Sequence, residues 1–403
     1  MSASASRPAS ARVSPALGGT ATPQPATARA DDPGHQSHAI APATVLRGPA
    51  AWREAIPAIT ALSRRPLVLG RSASTAELRH QRMADLTGAG LRCESAELRH
   101  DCCEQDLARV AAQATAAACD AVIAIGGGKV LDAGKLLAHR LGLACVTVPT
   151  SAATCAGWTA LANLYSPAGA FEGDVALARC PDLLVFDHAL VRQAPARTLA
   201  SGIADAMAKW YEASVSSGAS SDGLVQQAVQ QARVLRDQLL LEASAALADP
   251  HGDAWIRVAE ASALTAGLIG GLGGARCRTV AAHAVHNGLT QLEACHGALH
   301  GEKVGYGILV QLRLEEVLGG NRLAAQARRQ LLGFFRELGL PVDLAALGLG
   351  GASLEQLQQV CTFACREGSD LHHLPFPVSS TDLLAALVST TASSNGAAGA
   401  GQG

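Results

Sequence analysis

Charge is scarce in this chain. Only 16% of its 403 residues are Asp, Glu, Lys or Arg, the formal net charge is −2, and the basic residues gather on no one segment. Holding a nucleic-acid backbone takes a basic patch, so nucleic acid is excluded as a partner. Long apolar runs are also missing. Hydrophobic residues make up 49%, yet no run approaches the ~18–20 residues that cross a bilayer, which excludes a membrane-spanning segment. The eleven cysteines include no CxxC pair, and Cys102 and Cys103 are neighbours. They read as reduced thiols of a cytoplasmic protein, mostly small core residues. No acidic residue precedes Asp31, and the residues before it are mostly Ala, Ser, Pro, Thr and Arg. Such a stretch cannot build a core, so residues 1–38 are expected to be a disordered tail. The same composition would also serve an organellar transit peptide. Residues 391–403, rich in Ser, Gly and Ala, are expected to be a second flexible tail.

Between the tails the pattern is regular. Short apolar runs at 40–46, 66–70, 91–97, 120–125 and 143–148 read as strands, and amphipathic stretches at 50–62, 74–87 and 104–118 read as helices. Strands alternating with helices imply a parallel sheet with crossover connections. Residues 161–171 read as a short hairpin turning at Ser166-Pro167-Ala168-Gly169, and 181–186 as a last strand. From Pro195 onward the pattern is helical, near 196–214, 224–248, 254–268, 279–293 and 304–318. The length suffices for two cores. The expectation is an α/β domain over 39–194 and a helical domain over 195–390, with a small-molecule site in the cleft between them.

Within the sheet region, Ala121-Val122-Ile123-Ala124-Ile125 runs into Gly126-Gly127-Gly128-Lys129, and a helical pattern then continues to about Leu141. A buried strand that breaks into glycines and then a helix suits a pyrophosphate. Backbone N–H groups can approach it, and the helix N-terminus adds positive potential. Ligands in parallel sheets bind beyond the carboxyl ends of the strands, which is where these glycines fall.

The helical region carries a second cluster. Asp205 interrupts an otherwise apolar helix, and a core-facing carboxylate must be paired or bound to a cation. Four of the thirteen histidines, His283, His286, His296 and His300, fall within eighteen positions. His283 and His286 are three apart and share a helix face. One Asp with two imidazoles is a sound ligand set for a divalent metal that keeps a position open to substrate.

Five stretches occur in order: GGGKVLDxxK, VPTSAATCAGWTAL, GIADAMAKWYEA, AAHAVHNGLT and LHGEKVGYGILVQ. Together they resemble the glycerol dehydrogenase branch of the iron-containing (group III) alcohol dehydrogenases, over about residues 40–390. The resemblance implies an N-terminal Rossmann-like α/β domain, an all-helical second domain (the dehydroquinate synthase-like fold) and a catalytic metal in the cleft. It maps the metal ligands onto Asp205, His283 and His300, with zinc expected ahead of iron, and sets His286 near the nicotinamide. The dinucleotide positions map onto Gly126, Gly127, Gly128, Lys129, Asp132, Thr150, Thr159, Leu161 and Tyr165.

The departures from that branch bear on specificity. Cys155 stands where glycerol dehydrogenases have an aspartate that can accept a polyol hydroxyl. Lys209 lies one turn beyond Asp205, and Arg278 precedes His283 by five residues. Losing an acid beside Lys and Arg suits an anionic substrate. With His-Leu-Pro at His373–Pro375, the pattern is most similar to the hydroxycarboxylate dehydrogenase subgroup, whose members reduce 2-oxo acids. The expected activity is therefore hydride transfer between a nicotinamide and a 2-oxo or 2-hydroxy acid. A metal at Asp205, His283 and His300 would polarise the carbonyl, His286 would relay a proton, and Lys209 or Arg278 would hold the carboxylate. Glycerol or polyol oxidation, a dehydroquinate synthase-like lyase and a non-catalytic binding protein stay open as alternatives. The strand at 66–70 ends in Gly70-Arg71-Ser72, without the acid that binds adenosine ribose in NAD enzymes. Gly70 and Arg71 are thus expected at the cofactor, with NADP(H) preferred over NAD(H). A homo-oligomer is expected.

Overall fold

The computed structural model describes residues 38–391 of the chain. The expected tails fall outside that span, His38 and Thr391 apart. The α/β half begins with β1 (Thr44–Gly48), α1 (Ala51–Leu62), β2 (Pro66–Gly70), α2 (Ala76–Gly88), β3 (Glu94–Glu97), α3 (Glu104–Ala116), β4 (Ala121–Gly126), α4 (Gly128–Leu141) and β5 (Ala144–Pro149). The hairpin β6 (Leu161–Tyr165) and β7 (Phe171–Ala176) follows, then β8 (Leu183–Asp187) and the short α5 (His188–Val191).

Six strands form one sheet in the order β1-β8-β5-β4-β2-β3, every neighbouring pair parallel, and β6 and β7 pair apart from it as an antiparallel ribbon. Successive strand residues point to opposite faces, which gives each face its own core. Leu67, Leu69, Val122 and Ala124 pack with Leu107 and Val110 of α3 and Leu136 and Leu137 of α4. Val68, Ile123, Ile125, Val146 and Val185 pack with Trp52 and Ile59 of α1 on the other side. Central strands covered on both faces read as continuous apolar runs, which is why β2, β4 and β8 were legible.

From Ala196 the elements are α6 (Ala196–Ser217), α7 (Gly223–Ala248), α8 (Asp253–Glu260), α9 (Ala266–Gly273), α10 (Ala281–Leu289), α11 (His300–Val317), α12 (Arg322–Glu337), α13 (Leu354–Ala364) and α14 (Ser380–Val388). The single helix expected over 254–268 is instead two, joined by a π-helical turn at Ala261–Thr265. The helix expected over 279–293 is confined to Ala281–Leu289, and β3 starts three residues later than the apolar run at 91–97.

Helix α6 runs through the middle of this half, with Ile203, Ala204, Met207 and Ala208 buried. Two glycines allow its close contacts. A Cβ on Gly202 would lie 1.9 Å from the carbonyl oxygen of Ala152, and one on Gly301 would lie 1.8 Å from that of Ser201. Neither position tolerates a side chain unless the backbone moves. The first brings α6 against the loop after β5, and the second brings the start of α11 against α6. No helix among the described residues is long and apolar enough to cross a membrane.

Candidate active site

A groove of about 580 Å³ lies at the carboxyl ends of β2, β4 and β5, lined by Gly126–Val130, Thr150, Ser151, Arg71, Ser72, Ser74 and Thr75 among others. Gly127 precedes the first turn of α4, and a Cβ built there would meet nothing within 4 Å. Packing does not require that glycine, whereas a pyrophosphate approaching the helix N-terminus would. Thr150 donates its N–H to the Gly126 carbonyl at 3.1 Å, joining the two loops that wall the groove. Residues Gly127, Gly128, Lys129, Ser151 and Thr198 also line a second cavity, of about 310 Å³, that runs on to Asp205, His283 and His300. The two cavities thus adjoin at the N-terminus of α4, on the residues they share.

Asp132, Thr159, Leu161 and Tyr165 line the inner cavity. Asp132 is 3.0 Å from buried Lys135 and accepts the Asn163 N–H. Lys135 donates in turn to both oxygens of Thr159 and to the Leu161 carbonyl, so this pair ties α4 to β6. The Lys129 ammonium lies 4.8 Å from the centre of the Tyr165 ring.

The outer end of the groove corrects two expectations. Gly70 does not line it: a Cβ there would collide with buried Arg79, so this glycine makes room for the arginine. Arg71 does line it, but it is not free of acid. Asp101, from the loop between β3 and α3, is buried and pairs with both Arg71 and Lys129.

The second cluster converges. Asp205 of α6, His283 of α10 and His300 at the start of α11 each offer one ligand atom, all within 4.8 Å of one another. The Nε2 atoms of His283 and His300 lie 3.4 and 3.3 Å from Asp205 Oδ1. That oxygen is buried and has no hydrogen-bond partner among the described residues. A buried carboxylate oxygen facing two imidazole nitrogens is a donor set that could hold a divalent cation. Burial alone would raise the Asp205 pKa, but His300, Lys209 and His283 hold it well below the ordinary range.

Each imidazole is fixed from behind. His283 Nδ1 lies 2.6 Å from Glu212 Oε2, and a carboxylate can only accept, so Nδ1 keeps its proton and Nε2 is the nitrogen that would give up its own to a metal. Burial favours neutral His283, yet Glu212 and Asp205 outweigh it and push its pKa up to about 9 without metal. His300 Nδ1 lies 2.9 Å from His286 Nε2, and His286 Nδ1 lies 2.9 Å from Asn287 Oδ1. The amide oxygen accepts the His286 Nδ1–H, His286 Nε2 accepts the His300 Nδ1–H, and His300 Nε2 is the nitrogen left facing Asp205. His286 thus has both nitrogens engaged. Burial, with His300 and Lys303 nearby, holds its pKa well below the ordinary value. His296 is not in the cluster; its Nε2 meets the Thr290 carbonyl at 2.9 Å.

The inner cavity is also lined by Lys209, Arg278, Cys155, Asp174 and Asp370. Asp205, Lys209 and Glu212 stand at i, i+4 and i+7, on one face of α6. Lys209 is buried, and its one hydrogen bond among the described residues, to the Arg278 carbonyl, is 3.5 Å long. Burial disfavours its charge, but Asp205 above all, with Glu212 behind it, raises its pKa above the usual value. The Cys155 thiol is pushed up, chiefly by burial, and stays neutral. The sequence reading missed Glu212 and Asp101. Glu212 had a signal, since it lies two helical turns from Asp205 on the ligand's own face.

The description "Iron-containing alcohol dehydrogenase" belongs to a family model that matches residues 42–188. An uncharacterized oxidoreductase of Synechocystis sp. is 55% identical over 89% of this chain and 93% of its own length. A glycerol dehydrogenase of Escherichia coli O6:H1 is 34% identical, covering 80% and 86%. Hydroxycarboxylate dehydrogenase A of Escherichia coli (strain K12) is 36% identical, covering 72% and 79%. Among solved structures, a probable glycerol dehydrogenase from Sinorhizobium meliloti superposes with a TM-score of 0.77 at 30% identity, covering 87% of this chain and 96% of that one.

Proposed function

Because the chain belongs to the iron-containing alcohol dehydrogenase family, and is an oxidoreductase working with a nicotinamide and a metal, we propose that it interconverts a 2-oxo acid and the corresponding 2-hydroxy acid. The observation that carries this reading is Lys209. Among the described residues its buried ammonium has one long hydrogen bond; it stays charged beside Asp205 and shares a cavity with Arg278 and the neutral Cys155. A substrate carboxylate is the ligand that would complete it.

Asp205, His283 and His300 would hold a divalent metal, with zinc ahead of iron on this donor set. When bound, the metal supplies Lewis acidity at the substrate carbonyl and the nicotinamide supplies the hydride. The protein's own part is positional. Gly127, Gly128 and the α4 N-terminus would receive the pyrophosphate, and Lys209 with Arg278 would turn the carboxylate so that the carbonyl faces Asp205 and the two histidines. Arg71 and Ser72 at the outer end of the groove support a preference for NADP(H), the guanidinium meeting the 2′-phosphate. A reducing cytoplasm suits the eleven free thiols, and a homo-oligomer would cover the exposed Val234 and Leu241 of α7.

Polyol oxidation is the second reading, favoured by Asp174 and Asp370 in the same cavity, either of which could accept a hydroxyl. Rates of the purified enzyme with 2-oxobutyrate, 2-oxoglutarate and glycerol, each with both nicotinamides, test the two. The first reading expects 2-oxo acids with NADPH to be fastest. Strong glycerol oxidation with feeble 2-oxo acid reduction would favour the second. Metal analysis of His283→Ala and His300→Ala completes the test, because a full metal complement in either variant would sink the ligand set.

A further inference from the structure

Glu212 is a fully buried carboxylate to which neither reading above gives a task. Its Oε1 accepts the backbone N–H of Val280 at 2.7 Å and that of His283 at 3.0 Å, and its Oε2 accepts His283 Nδ1 at 2.6 Å. The first two contacts close the N-terminus of α10, where no residue of the chain just before the helix supplies a side-chain cap. An uncharged Ser or Thr could close a helix end, so capping by itself does not explain a buried charge. The third contact does.

We infer that Glu212 is a positioning residue of the metal centre, acting through His283. The carboxylate keeps the proton on Nδ1, turns Nε2 toward Asp205, and makes that nitrogen a stronger donor than a neutral acceptor would. It also ties α10 to α6, so that the one helix carrying Asp205 sets the position of the second ligand as well. The two imidazoles are then unequal. His283 is backed by a full negative charge, and His300 by the neutral pair His286 and Asn287. This inference rests on the metal reading of Asp205, His283 and His300.

The test uses the full chain stripped of metal, titrated with Zn²⁺ against a chromophoric chelator, and the absorption spectrum of the Co²⁺-loaded protein. Glu212→Gln keeps the volume and one acceptor but lacks the charge. Its Zn²⁺ dissociation constant should rise about ten- to a hundredfold, the usual loss for an outer partner of a metal-binding histidine, and its Co²⁺ bands should shift. Circular dichroism of the metal-free variant reports whether the fold survives. Glu212→Ala should lose more, and if it does not fold, Glu212→Gln carries the test alone. An unchanged Zn²⁺ constant in Glu212→Gln, or a lower melting temperature with affinity and spectrum intact, overturns the inference and leaves the metal reading standing. Wild-type protein that takes up no Zn²⁺, or a His283→Ala variant that binds it as well as wild type, overturns both.

Discussion

His286 Nε2 and His300 Nδ1 face each other at 2.9 Å, and only one of the two can carry the proton between them. Asn287 decides which, because its side-chain oxygen already takes the proton on the other His286 nitrogen. His286→Phe should therefore weaken metal retention by about ten- to a hundredfold, since His300 loses the acceptor that orients it. His286→Gln, which can still present an oxygen, should recover part of the loss. A His286→Phe enzyme that holds metal normally and loses only turnover would return this histidine to the role of a proton relay beside the nicotinamide.

Lys209→Ala should raise the Michaelis constant for 2-oxo acids about ten- to a hundredfold, the worth of a charge-assisted contact of about 1.5–3 kcal/mol. Neutral carbonyl substrates should be nearly indifferent. Because Lys209 also lies near Asp205, metal content must be measured alongside. An equal loss on neutral and anionic substrates would mean that the ammonium only balances the charge of Asp205 and Glu212.

Arg71→Ala should weaken NADPH selectively and leave NADH kinetics nearly unchanged. Roughly tenfold is the scale to expect, because the guanidinium is partly exposed and already shared with Asp101. Asp101→Asn should act in the opposite direction, freeing Arg71 and Lys129 for the phosphates and lowering the Michaelis constant for NADPH. Equal effects of Arg71→Ala on both cofactors would refute the assignment of this turn to the 2′-phosphate.

Lys303 is buried on α11, donating to the carbonyls of Cys295 and Ala298 at 3.2 and 2.6 Å. Burial lowers its pKa to about 8, against 10.5 for the free side chain. Below about pH 8 both folded and unfolded chains hold the proton, and the folded state bears the full cost of the buried charge. Between about 8 and 10.5 only the unfolded chain holds it, so stability rises with pH across that window, by on the order of 3 kcal/mol in all. Lys303→Met lacks this slope. The melting temperature of wild type minus that of the variant should climb from pH 8 to pH 10, and a flat difference would mean that Lys303 keeps an ordinary pKa in the folded chain.

The parts read most directly from the sequence were those that local rules govern. Strands β2 and β4 were visible because burial on both faces demands unbroken apolar runs. The glycine turn at residues 126–128 was visible because it sits where such a run meets a helix. Asp205 stood out because a charge inside an apolar helix needs a partner. The end of the 66–70 strand misled for the same reason: Gly70 and Arg71 look like one cofactor turn along the chain. In space the glycine serves Arg79, and the arginine meets an acid thirty residues away.

The sequence alone determined the alternation of elements, the strand–glycine–helix turn and the isolated Asp205 in an apolar helix, because each depends on neighbours within a helical turn or a strand's length. The tertiary structure decided which nitrogen of each histidine faces Asp205, that Glu212 backs one of them, and that Asp101 sits beside Arg71. Apart from the neighbours His286 and Asn287, those outcomes depend on contacts between residues 14 to 71 positions apart. Proton placement in a buried network follows from which donor or acceptor lies opposite, and only the packing of α6, α10 and α11 sets that.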